Sequence, residues 1–357
     1  MIKAKIRIIR ISFLFCLIFI WVGTNFCRAQ LENQDCIKCH GKPDFKKVLP
    51  SGESKSLYLD FSLFYRSVHK KELCVYCHND VKKIPHPALL SKVDCRRCHY
   101  RGNLAGAPDL DIYAEYVRSV HGMASAFGDP KAPLCQDCHG SHYIFPPSDT
   151  LSKTNKVNVP ETCGRCHITI YNVYNLSVHG KGLQQRILDV PVCNDCHEEH
   201  NIRKHTDPKS PVFLAKVSLI CAKCHGNRAI MKKYGISTEP VETYKESFHG
   251  VAAKFGDKTV ADCNSCHGAH DILPQKDPRS SINKKNIPTT CGKCHPGASK
   301  NFAKGKVHIN PAKPEAEIIY YVSRFFKYLT ISVMLALTIY IILDLRKKYK
   351  TRKPDSS

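Results

Sequence analysis

Methionine is scarce in this chain of 357 residues. Four occur: Met1 is the initiator and Met334 lies in an apolar run near the C-terminus, leaving Met123 and Met231. Thioether ligation is therefore excluded at more than a couple of metal positions. Cysteine is abundant but almost never outside one pattern. Of 20 cysteines only Cys16 and Cys27 stand apart, in or just beyond an N-terminal apolar segment. A chain cut after Ala29 keeps no cysteine for a disulfide, which excludes a disulfide scaffold. Long amphipathic patterns are scarce, proline and glycine are common, and no segment reads as a strand. A conventional helical bundle or sheet is excluded as well.

What is present is nine copies of Cys-x-x-Cys-His. They pair Cys36 with Cys39, Cys74 with Cys77, Cys95 with Cys98, Cys135 with Cys138, Cys163 with Cys166, Cys193 with Cys196, Cys221 with Cys224, Cys263 with Cys266 and Cys291 with Cys294. The adjoining histidines are His40, His78, His99, His139, His167, His197, His225, His267 and His295. The pattern reads as c-type haem attachment: two thiols add to the haem vinyls, and the histidine is placed under the iron as proximal ligand. Chance gives on the order of 0.06 copies in a chain of this composition. Zinc is the competing reading, because two Cys-x-x-Cys pairs can build a four-thiolate site, but zinc does not explain a histidine after every pair. A thioredoxin-like role fails for the same reason.

The motifs sit in a repeat. SVHGMASAFGD at 119–129 returns as SFHGVAAKFGD at 247–257, CQDCHGSH at 135–142 as CNSCHGAH at 263–270, and NVPETCGRCH at 158–167 as NIPTTCGKCH at 286–295. Beneath this lies a two-haem repeat that starts near 67, 119, 177 and 247, each opening with a Ser-x-His histidine: His69, His121, His179 and His249. Four repeats and the leading motif at Cys36 make nine haems. His308 stands where a fifth repeat would begin. Ten histidines lie outside the motifs, and the distal-ligand candidates are His69, His86, His121, His142, His179, His200, His249, His270 and His308. His142, His200 and His270 follow their own proximal histidine by three residues, too close to reach the far side of the same haem, so each is expected to ligate a neighbouring one. The third repeat offers both His200 and His205, one of which is surplus, and His200 is the favoured ligand because it keeps the spacing of His142 and His270. Two axial histidines make a six-coordinate iron suited to electron exchange at low potential.

From Gln30 to about Pro314 each haem has roughly 32 residues, against about 100–150 for an ordinary domain, so the haems must form the core. The formal charge is +23. Both termini are basic, and two propionates per haem bring the body of the holoprotein close to neutrality. The lysines and arginines then read as propionate partners rather than a nucleic-acid surface.

The ends address a membrane. MIKAKIRIIR followed by ISFLFCLIFIWVG and Cys27-Arg28-Ala29 reads as a signal peptide over 1–29, or an uncleaved N-terminal anchor; either exports the body, residues 30–314. A transmembrane helix is expected over 318–345. Its apolar run from Phe325 to Leu345 is about 32 Å long as a helix, enough for a bilayer. The basic tail 346–357 marks the inner side, so the body faces outward, on the periplasmic face of the cytoplasmic membrane. The helix holds no histidine and cannot ligate a b-type haem itself.

The Ser-x-His-Gly and Cys-x-x-Cys-His-Gly-x-His elements over residues 36–309 resemble the multihaem c-type cytochromes of bacterial respiratory chains. That superfamily includes electron carriers, membrane-anchored quinol dehydrogenase cytochromes, pentahaem nitrite reductases and octahaem hydroxylamine oxidoreductases. The resemblance implies nine covalent haem c groups, packed in stacked and perpendicular pairs. The chain departs from the nitrite reductases in having no Cys-x-x-Cys-Lys motif, and from the small quinol dehydrogenases in carrying its anchor at the C-terminus. The expected fold is mainly α with much irregular structure: a haem-packed core of two-haem repeats plus one C-terminal transmembrane helix. The expected function is electron transfer between a membrane cytochrome b or quinol-oxidising subunit, met near Cys291 and His308, and exported redox proteins, with no catalytic residue. The alternative is a multihaem oxidoreductase acting on nitrite, hydroxylamine or a sulfur species at one open haem.

Overall fold

The structure is a computed structural model that describes residues 31–352 except 109, 302, 303 and 306. The expected signal peptide lies outside the described residues. Short helices, turns and irregular chain dominate, as expected. Two compact units divide the chain, one ending at Asn158 and the other starting at Val159.

The first unit opens with helix α1, Asn33–His40, which carries the first haem motif. A hairpin follows, with β1, Lys46–Val48, antiparallel to β2, Ser54–Ser56, and Lys47 opposite Lys55. The sequence reading anticipated no strand. The hairpin has no apolar alternation to signal it; the Pro50-Ser51-Gly52 turn chemistry makes it, with Leu49 N–H bonded to Glu53 O at 2.8 Å. Helices α2, Phe61–Phe64, and α3, Cys74–Cys77, come next. After the turn at Cys95–Arg97 come α4, Ile112–Arg118, α5, Val120–Ala126, and α6, Cys135–His139.

The second unit runs through α7, Val159–Gly164, α8, Ile168–Leu176, α9, Val178–Gln184, and α10, Cys193–His197. It continues with α11, Val217–His225, α12, Arg228–Lys233, α13, Glu239–Glu246, α14, Phe248–Lys254, α15, Cys263–His267, and α16, Ile287–Gly292. The long helix α17, Ile318–Arg352, ends the described chain.

Most motif helices are one to two turns long, and the longest, α1 and α11, have 8 and 9 residues, all too short to persist on their own propensity. Local chemistry starts and stops them. The residue before the second cysteine caps the first turn: Asp137 accepts from Leu134 N–H at 2.7 Å, Asp195 from Val192 N–H at 2.8 Å, and Ser265 from Asp262 N–H at 3.1 Å. The helix then stops at a left-handed residue directly after the histidine: Gly140 (φ 89°), Glu198 (φ 64°) or Gly268 (φ 80°). Glycine suits that conformation, and the exposed Glu198 is strained there. Glu198→Gly is expected to raise the holoprotein's stability by about 1 kcal/mol, read as a higher denaturant midpoint at unchanged slope.

The apolar core is small. The buried apolar side chains among the described residues are Phe64, Val81 and Phe145 in the first unit, and Val159, Tyr174, Leu183, Val192, Met231 and Ala316 in the second. Large parts of both units therefore take no cohesion from side-chain packing.

Helix α17 is the one described helix long and apolar enough to cross a membrane, and none of that stretch is buried against protein. It starts at Ile318, where a transmembrane helix was expected, and runs past Leu345 into the basic tail. Its hydroxyls bond within the helix, Ser332 to Tyr328 O and Thr338 to Met334 O, both at 2.8 Å, the arrangement a lipid-facing helix requires. Tyr320, Tyr321 and Tyr328 cluster toward one end and Tyr349 lies near the other, as amphipathic rings do at the two interfaces of a bilayer.

Candidate haem sites

Seven motif histidines face a second histidine ring at a nearly constant spacing. In the first unit His40 faces His86 at 6.1 Å between ring centroids, His99 faces His69 at 6.0 Å, and His78 faces His142 at 6.1 Å. In the second His225 faces His179 at 6.3 Å, His197 faces His270 at 5.9 Å, His295 faces His249 at 6.1 Å, and His267 faces His308 at 6.3 Å. The rings of His40 and His86 are 4° from parallel, yet their separation is far beyond the ~3.5–4.0 Å of carbon atoms in contact. The gap fits one metal ion. A metal–imidazole bond is about 2.0–2.1 Å and a ring nitrogen lies about 1.15 Å from its centroid, so two rings on opposite sides of one ion stand about 6.3 Å apart.

The donor atoms are also oriented. His40 Nδ1 lies 2.8 Å from Leu57 O, and His86 Nδ1 lies 2.8 Å from Pro87 O. An Nδ1–H donated to a carbonyl leaves the Nε2 lone pair for iron and makes the ring a stronger donor. His308 Nδ1 lies 3.3 Å from Thr243 Oγ1. Burial, then the neighbouring His225, pushes His179 down to about 4. Burial is also the leading cause that lowers His69, His78, His142, His197, His225, His267, His270 and His308. These rings are neutral near pH 7, the form that ligates.

The motif cysteines meet across motifs. Side-chain hydrogen bonds join the thiols of Cys74 and Cys36, Cys95 and Cys135, Cys193 and Cys163, and Cys263 and Cys221. Cys77 lies within electrostatic reach of Cys98, Cys196 of Cys221, and Cys266 of Cys291. Successive attachment points are therefore adjacent from Cys36 to Cys135 in the first unit, and from Cys163 to Cys291 in the second. Burial, with Cys36 adding to it, pushes the Cys74 thiol up to about 12, and burial pushes Cys196 up to about 11. The hydrogen bond from Cys95 lowers Cys135 to about 6 and that from Cys193 lowers Cys163 to about 7, so it is geometry that disfavours zinc: among the described residues no three His, Cys, Asp or Glu side chains converge on a metal-ion position. Thioether formation consumes these same thiols and leaves no charge, so the residues fit haem.

His308 is placed differently from its sequence reading. It was grouped with the Ser-x-His histidines and set beside Cys291. Its ring instead faces His267, the histidine of the Cys263 motif, in the manner of His142 facing His78 and His270 facing His197. The site whose second histidine lies on the segment leading into α17 is therefore that of Cys263 and Cys266. His121 opens α5, His139 ends α6, His167 precedes α8, and His200 lies in the turn after α10; each engages other groups. His205 is exposed in the turn beyond His200.

The sequence reading missed the tyrosines. Tyr116, Tyr174 and Tyr244 each stand five residues before a Ser-x-His histidine. Their hydroxyls donate to Pro133 O at 2.8 Å, Pro191 O at 2.9 Å and Ala261 O at 3.2 Å, in every case the carbonyl two residues before the next haem motif. The signal was present as Tyr-x-x-Ser-x-His-Gly, with Phe64 in the tyrosine's place in the first repeat. The glycine is obligatory: a Cβ on Gly122, Gly180 or Gly250 would lie within 2.0–2.1 Å of the same tyrosines' carbonyl oxygens. The two kinds of second histidine are also joined by backbone, Val68 N–H to Ile144 O at 2.8 Å and Val178 N–H to Ile272 O at 2.9 Å.

Residues 25–100 match the family model of cytochrome c7 and related cytochrome c. The matched stretch contains the first three motifs and supports covalent haem c and multihaem electron transfer. No curated protein and no solved structure matches the chain.

Proposed function

We propose that the chain is a nine-haem, membrane-tethered c-type cytochrome that relays electrons between a membrane quinol-oxidising or cytochrome b partner and exported redox proteins. The observation that carries this reading is the pairing of histidine rings at 5.9–6.3 Å over adjacent motif cysteines. Bound haem supplies a one-electron couple. The chain's residues do the rest. The cysteines fix each macrocycle's edge against the next, which keeps transfer distances short. The paired imidazoles fill both axial positions, so the iron changes charge with little movement and meets no substrate. The Nδ1 hydrogen bonds at His40 and His86 strengthen their donation and hold that site's potential low.

In this reading α17 crosses the cytoplasmic membrane once, the haem body lies outside, and the basic tail lies inside. His308 precedes α17 by ten residues, which makes the Cys263–Cys266 haem the natural point of exchange with a membrane partner. That partner would hold any b haems, because α17 has no histidine.

The test is electron paramagnetic resonance of the oxidised full-length protein in detergent, with haem counted as the pyridine haemochrome. Nine haems and low-spin ferric signals alone are expected. A high-spin component that responds to nitrite or hydroxylamine overturns the proposal in favour of the enzyme alternative.

A further inference from the structure

The seven ring pairs differ in the angle between their planes, from 4° to 73°, and the three widest angles belong to one class of histidine. The angles are 4° for His40 with His86, 31° for His78 with His142, 10° for His197 with His270 and 26° for His267 with His308. They are 73° for His99 with His69, 48° for His225 with His179 and 45° for His295 with His249. Among these seven pairs, each of the three widest angles involves a Ser-x-His histidine and none of the four narrower ones does.

A brace is shared by Ser119, Ser177 and Ser247, each of which ends one helix and caps the next, whereas Ser67 Oγ accepts from His69 N–H at 3.2 Å. Ser177 Oγ donates to Tyr174 O at 2.6 Å and accepts from Gly180 N–H at 3.1 Å. Ser119 does the same with Tyr116 O at 2.6 Å and Gly122 N–H at 3.0 Å, and Ser247 with Tyr244 O at 2.7 Å and Gly250 N–H at 3.2 Å. Ser67, Ser119 and Ser177 are among the most buried side chains of the molecule. The histidine two residues on is thereby fixed within the first turn of its helix, and the tyrosine hydroxyl ties that junction to the chain entering the next haem motif. His142 and His270 instead follow the left-handed glycines of a turn, which aim the ring differently.

Ring angle matters electronically. Each imidazole donates π density into the iron d orbital normal to its own plane. Two parallel rings raise the same orbital, split the d pair widely, and favour the ferric state. Crossed rings raise both orbitals, leave them close in energy, and forfeit part of that stabilisation. The ferric iron then has a more anisotropic spin signal and the site a higher potential.

Resting on the bis-histidine reading, we infer that the Ser-x-His serines are positioning residues that set the plane of the distal imidazole and so create a second, higher-potential class of haem alternating with the first. The motif order makes the alternation regular in the second unit: near-parallel at Cys193, crossed at Cys221, near-parallel at Cys263, crossed at Cys291. Neighbouring haems then take up electrons at different potentials, so a partly reduced chain keeps its electrons on alternate sites and away from one another.

The experiment is redox-poised electron paramagnetic resonance on the full-length holoprotein. Two low-spin ferric populations are expected: a rhombic set, and a highly anisotropic large-g set of at least three haems that disappears first on reductive titration. Ser247→Ala should move one haem's worth of intensity out of the large-g set with haem count unchanged. Ser247→Thr, which keeps the Oγ, should restore it; Ser247 is only half-buried and leaves room for the methyl. Ser177→Ala is the independent second variant. A single low-spin population in the unaltered protein overturns this inference and leaves the bis-histidine reading standing. Unchanged large-g intensity in both alanine variants overturns it too, whereas high-spin iron in the unaltered protein overturns the bis-histidine reading and this inference with it.

Discussion

Full-length chain made without haem attachment is expected to keep helix α17 but no other fold, with a far-ultraviolet circular dichroism spectrum otherwise disordered, no cooperative melt and rapid proteolysis throughout residues 31–317. The holoprotein should melt cooperatively and resist the same protease. The first unit buries Phe64, Val81 and Phe145 and little else that is apolar. Each ordered residue costs about 1–2 kcal/mol of backbone entropy, which three side chains cannot offset over a unit of this size. Its motif helices have at most 8 residues and its hairpin is six residues of strand, none stable alone. Haem supplies what is missing: a large apolar surface, two covalent links and an iron that joins histidines far apart in sequence, such as His78 and His142. Added zinc should not rescue the haem-free chain. A cooperative melt of that chain would sink the claim that haem is its core.

The second large effect concerns a single side chain. His179→Ala is expected to convert one low-spin haem to a high-spin iron that binds cyanide, with haem count unchanged and the other haems undisturbed. His179 and His225 face each other at 6.3 Å. Losing one ligand opens one coordination position, which is a change of spin state and not of degree. His179→Met should keep the iron six-coordinate and raise that haem's potential, because a thioether favours the ferrous form. His205→Ala is the control. His205 is exposed, and its removal should leave every spectrum unchanged. A high-spin signal in the His205 variant, or none in the His179 variant, would mean the second ligands are wrongly assigned.

Particular residues mark how far the sequence could be read. The nine attachment motifs were legible because two thiols and a histidine must sit within five residues to serve one haem. The Ser-x-His class was legible because its repeat is regular, and the near-absence of methionine turned attention to histidine. The long apolar helix α17 was legible because it is one unbroken apolar run of the length a bilayer would demand. By contrast, the partner of His308 was not legible: the sequence placed it where a fifth repeat would begin, and its ring faces His267, with the helix α13 that carries Thr243 beside it. The hairpin at Lys46–Ser56 escaped notice because turn chemistry makes it, with no apolar alternation.

The tyrosine braces show the same division. Tyr116, Tyr174 and Tyr244 recur in the repeat, but a conspicuous spacing does not say that a hydroxyl will reach a carbonyl seventeen residues on. By itself the sequence determined the kind and number of attachment motifs, the supply of histidine and the apolar anchor, because each depends on neighbours in the chain or on composition alone. The tertiary structure alone decided which histidine faces which motif, how adjacent motif cysteines meet, and at what angle the rings cross. Those are distances and orientations between segments that only folding brings together, and they differ between residues that read identically in one dimension.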